Sequence, residues 1–149
     1  MQVATTAQLG FDALLGLVTA AFASSDVYVY DAVEDPGANV TETIGLLGIT
    51  QGGQDWSTLA GLRRAERYDI DGRIRCWTGD TDMPTLRARA VELLTTIGTL
   101  LEDNPTLGLD LQGGVASLST FSLQQGSADR APRMALLDFA VTVTAELER

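Results

Sequence analysis

The chain has 149 residues, 45% of them hydrophobic, and sets 20 acidic side chains against 10 basic ones for a net charge of −10. That size and apolar fraction suit one domain around one core, and a field of that sign opposes phosphate backbones and anionic lipid. Every basic residue is arginine and neither Lys nor His occurs, which removes Schiff-base lysines, histidine bases, histidine metal ligands and the P-loop lysine.

Between Gln8 and Ala23, Phe11, Leu14, Leu15, Val18 and Phe22 fall on one stripe of an amphipathic helix. The apolar stretch Ala13–Ala23 ends in Ala21-Phe22-Ala23, which has the look of a signal-peptidase site. No Arg or Lys precedes it, Asp12 sits at its edge, and it is too short to span a bilayer, so a core helix is the expected reading. Val27-Tyr28-Val29-Tyr30 predicts a short strand of β-branched and aromatic residues, and Asp31–Glu42, with Pro36-Gly37 inside it, a loop. Ile44–Ile49 predicts a second strand interrupted by Gly45 and Gly48. Gln51–Gly61 holds three glycines and no sustained period, so it is expected to be a loop.

From Arg64 to Trp77 the alternation is clean. Tyr68, Ile70, Ile74 and Cys76 share one face, against Arg67, Asp69, Asp71, Arg73 and Arg75 on the other. This is the pattern of an antiparallel sheet with one covered side. Asp80, Thr81 and Asp82 offer N-caps ahead of Pro84. Leu86, Ala90, Leu93, Leu94, Ile97, Leu100 and Leu101 then hold a helical period until Asp103-Asn104-Pro105 stops it. Val115–Leu123 and Met134–Leu147 predict two strands, joined through the polar linker Gln124–Pro132 as a long hairpin. The expected fold class is α+β: a single, mostly antiparallel β-sheet with two amphipathic helices packed on one face.

Chemistry, with the common nucleophile and base partners missing, would have to rest on carboxylates. Asp69 and Asp71 share a strand face, but alternating Arg and Asp on a wet face is what solubility and cross-strand pairing produce, and the ligand-dense loop that hard cations favour is missing. Asp80 and Asp82 are explained by capping. Cys76, the sole cysteine, alternates with the buried set and cannot form an intramolecular disulfide. Gly52-Gly53 and Gly113-Gly114 lack the rest of any phosphate-loop or dinucleotide fingerprint. No catalytic residue, metal ligand or cofactor is expected.

The candidate interaction residues are Trp56, Leu59, Leu62, Arg63 and Arg64. The first three are large apolar residues in or beside a glycine-rich segment. The two arginines adjoin them in an otherwise acidic chain, where they could pair with carboxylates of a partner. The plainer alternative is that Trp56 folds back over the sheet edge and the arginines balance local charge.

The order of features also resembles a family. An N-terminal amphipathic helix, Val27-Tyr28-Val29-Tyr30-Asp31 and the loop after it, Glu66-Arg67-Tyr68-Asp69-Ile70, Leu86–Leu94, the turn Asp103-Asn104-Pro105-Thr106-Leu107-Gly108 and a closing Phe/Val/Thr-rich strand together resemble the tail terminator (tail completion) proteins of long-tailed bacteriophages, particularly those infecting actinobacteria. The resemblance implies a non-enzymatic α+β subunit forming a homohexameric ring on the finished tail tube, which ends tube growth and offers a surface to a head-side connector. It implies residence in the virion tail, with assembly in the host cytoplasm, DNA passing through the lumen without specific binding, and no membrane contact. A net negative charge is compatible with such a lumen. The alternatives are a head–tail connector or tail-tube subunit, a small acid- or metal-dependent enzyme, and a monomeric binding module.

Overall fold

The computed structural model describes residues 5–33, 40–58, 63–78, 82–109, 114–126 and 133–148, with the backbone alone for 56–58, 63, 78, 126, 133, 147 and 148. Two helices, α1 (Ala7–Ala21) and α2 (Met83–Asp103), accompany strands β1 (Tyr28–Asp31), β2 (Glu42–Thr58), β3 (Arg63–Thr78), β4 (Ala116–Gly126) and β5 (Arg133–Glu148). The strands form one sheet in the order β1-β2-β3-β5-β4. β1 runs parallel to β2 and every other pair is antiparallel. The expected α+β class, the single mostly antiparallel sheet and the β4–β5 hairpin are what the chain adopts.

Strand alternation and helical period meet in one core. Leu14 and Val18 of α1, and Ala90, Leu93 and Ile97 of α2, pack with Ile44, Leu46, Tyr68, Ile70, Ile74, Leu137, Val141 and Val143 of the sheet. Both helices therefore cover the same face. Asp82 caps α2, its carboxylate accepting from the Thr85 amide at 3.2 Å, with Pro84 in the first turn. Asp80 and Thr81 lie outside the described residues. Arg89 reaches from α2 to β2, donating to both oxygens of Glu42 at 2.6 and 3.1 Å, which fixes the helix's position along the sheet.

One expectation is overturned. Gln51–Thr58, read as the start of a loop, continues β2 in antiparallel pairing with β3, Gly53 opposite Arg67 and Trp56 opposite Arg64. The ladder shifts register between Leu46 and Gly48, between Thr50 and Gly53, and between Trp56 and Thr58, and Gln51 takes a left-handed φ of 52°. Each extra residue reverses which face the following side chains meet, so the period-2 signal is erased while the backbone hydrogen bonds persist. The rest of the expected loop, 59–61, lies outside the described residues.

The outer strands are shorter than the inner ones. β1 pairs only with Thr43–Leu46, and β4 follows β5 only from Met134 to Val143. Beyond those limits, among the described residues, β2, β3 and β5 continue without a further strand beside them as a three-stranded ribbon made of Gly53–Thr58, Arg63–Arg67 and Thr144–Glu148.

Candidate interaction surface

The far end of that ribbon holds three of the five candidate residues. Trp56 and Arg64 are register partners near its tip, with Arg63 beside them at the start of β3. Leu59 and Leu62 lie outside the described residues, as do the side chains of Trp56 and Arg63. The Arg64 side chain is described and has a partner within the chain, its Nη1 donating to Gln54 Oε1 at 2.9 Å.

Gln54 passes the connection inward. Its Nε2 donates to Glu66 Oε2 at 2.6 Å, and Glu66 Oε1 accepts from the Thr6 amide at 2.8 Å and the Thr6 hydroxyl at 2.7 Å. Tyr68 closes the chain, its hydroxyl donating to the Thr6 carbonyl at 3.3 Å. Thr6 is the N-cap of α1 and makes no capping bond to the helix with its own side chain, and the first turn of α1 carries no acidic residue. Glu66, from β3, supplies a negative charge at this helix end and an acceptor for the Thr6 amide, while the Thr5 hydroxyl accepts from the Ala7 amide at 3.1 Å. A run of four hydrogen-bonded side chains thus joins the ribbon tip to the start of α1.

Glu66 is 3% exposed. Burial alone would raise its pKa, yet the bonds from Thr6, Thr5 and Gln54 outweigh that and hold it below the ordinary carboxylate value. It is therefore a structural anion, ionised at neutral pH and fully occupied by donors. Its signal was present in the sequence, because Glu66 has the same parity as Tyr68, Ile70, Ile74 and Cys76. A lone charge in a buried register requires buried donors.

The other groups weighed for chemistry are also engaged. Asp69 accepts from the Thr142 hydroxyl at 2.7 Å and Asp71 from the Thr50 hydroxyl at 3.0 Å, while Arg73 pairs with Asp138 at 2.8 Å. These are cross-strand bonds on the helix-free face. Burial, with the Glu42 charge nearby, pushes the Cys76 thiol up to about 12, so its thiolate is inaccessible at neutral pH. Among the described residues no three or more His, Cys, Asp or Glu side chains gather as a metal site, and no helix is long and apolar enough to cross a membrane. An open recess of about 630 Å³ lies beside the ribbon, lined by Gln51, Gln54, Glu66, Gly114, Thr144 and Glu146 among others. Gly114 at its rim approaches β5 so closely that a Cβ there would meet the Thr144 carbonyl oxygen at 1.9 Å.

No family model and no curated protein matches the chain. Among solved structures, it is similar to a chain of the virion of a native gene transfer agent (GTA) particle, at a TM-score of 0.51 and 20% sequence identity over 93% of this chain and 94% of that one. At that identity the likeness is one of fold, and it extends over nearly the full length of both chains.

Proposed function

We propose that the chain is a structural, non-enzymatic subunit of a phage-like virion and that it acts as a tail terminator, a ring capping the tail tube, ending its growth and presenting a surface to a head-side connector. The observation that carries this reading is the end-to-end fold likeness to a chain of an assembled virion. The ordered resemblance to tail terminators in the sequence favours the same class. In this reading Trp56, Leu59, Leu62, Arg63 and Arg64 contact the neighbouring subunit or the tube. The net charge of −10 suits a ring through which DNA passes without adhering.

The test is light scattering and negative-stain imaging of the purified protein, alone and with isolated tail tubes. Closed rings that seat on tube ends support the terminator role. Open tubes would point instead to a tube subunit, and a monomer that ignores tubes would remove the reading. The triple change Trp56→Ala, Arg63→Glu, Arg64→Glu is expected to abolish capping with the circular-dichroism spectrum near that of the parent. Normal capping by this variant would place the contact elsewhere.

A further inference from the structure

β4 is the outermost strand on one side of the sheet; at its start the Ala116 amide donates to the Pro105 carbonyl at 2.7 Å, and among the described residues no strand pairs with its far edge. Its ladder to β5 fixes which backbone groups face outward. The Thr144 amide donates to the Val115 carbonyl, and the register carries the inward-facing positions through Ser117 and, past the bulge at Ser119, through Thr120 and Ser122. The amide and carbonyl of Phe121 and Leu123 therefore face the open edge. Folded proteins ordinarily block such an edge with charge, proline or a covering element.

This edge is built the opposite way. Among the described strands β4 alone carries no charged residue, and it lies in an 18-residue uncharged run, Leu111–Ala128, the longest in a chain of net charge −10. Phe121, at its middle, is 67% exposed. Two acidic copies repel each other wherever their carboxylates meet, so a contact between copies is favoured at a neutral surface. A basic partner would select carboxylates, which this strand does not offer. We propose that the free edge of β4 pairs with an edge strand of a second copy of this chain, extending the sheet from one subunit into the next. This does not rest on the virion reading, since edge pairing can be observed with or without tail tubes.

The experiment compares the solution mass of the intact chain with that of Phe121→Pro and Phe121→Lys. Proline removes the outward amide and leaves the ladder to β5 intact, and lysine places a charge on the edge. The intact chain should run as a multiple of its own mass, and both variants should fall to a lower mass with an unchanged far-ultraviolet spectrum. Should Phe121→Pro fail to fold, Phe121→Lys decides. A parent chain that stays monomeric as concentration is raised would overturn the proposal, as would folded variants that keep the parent's mass.

Discussion

Beneath the helices, the β2–β3 ladder buries Ile44, Leu46, Ile70 and Ile74 completely. Past Thr50 the same two strands run out with Gly53, Gln54 and Asp55 exposed, and beside the backbone ladder they are tied by hydrogen bonds from Arg64 to Gln54 and from Gln54 to Glu66. The near half is stabilised by apolar area removed from water, which is non-directional and pH-independent. The far half depends on oriented polar contacts, each worth little unless buried. The two ends of one hairpin can thus be altered separately, with different consequences for stability.

The near half should break most completely. Ile97, on α2 over the sheet, is fully buried, and Ile97→Asp places an unpaired carboxylate there at a cost of several kcal/mol, on the order of the domain's whole stability. The variant is expected in the insoluble fraction or without a cooperative melt. A soluble protein with the parent's melting curve would show that this helix face does not carry the core.

A milder change in the same half is Gly72→Ala. An added Cβ would meet the Phe139 ring at 2.1 Å, so the ring or the strand must shift, costing about 1–3 kcal/mol. A lowered denaturation midpoint with unchanged slope is the expected result.

At the junction, Glu66→Gln replaces the oxygen facing Gln54 Nε2 with a second donor. If Gln54 turns its amide over to compensate, Arg64 loses its acceptor. The expected loss is about 1–2 kcal/mol at neutral pH. The pH dependence follows from the direction of the shift: the folded pKa of Glu66 lies below its ordinary value of 4.5, so its stabilisation is complete above that value and is lost as the pH falls through the lower, folded value. The gap in melting temperature between parent and variant should therefore narrow in acid. A gap that stays constant into strong acid would mean that the Glu66 charge contributes nothing.

The near half was also the legible one. Tyr68, Ile70, Ile74 and Cys76 alternate without interruption, and Leu86–Leu101 keeps one stripe, because a single covered face imposes its period on every residue beneath it. β2 was only partly legible. Its register shifts at Gly48 and Gly53 break the alternation, and backbone pairing leaves no side-chain period of its own. The Glu66 relay joins residues about sixty positions apart, and no local pattern encodes which donors will meet a buried carboxylate. Strand order, with β5 set between β3 and β4, was likewise unreadable from local period.

The smallest stability effect is expected at the tip, where it divides the two halves most sharply. Arg64→Ala removes the 2.9 Å bond to Gln54 Oε1 and leaves Glu66 its bonds from Gln54 and Thr6. Because the Arg64–Gln54 contact is solvent-exposed, water replaces the lost donor and the cost should be under about 1 kcal/mol. For a domain of this size that is a fall in melting temperature of no more than about 4 °C. A much larger fall would show that Arg64 organises the relay down to α1, making the ribbon part of the folded core. With a small fall, the same variant reports on function without the ambiguity of unfolding. Lost capping of tail tubes would then belong to the guanidinium at the contact, and retained capping would leave Arg64 as a brace for Gln54 and nothing more.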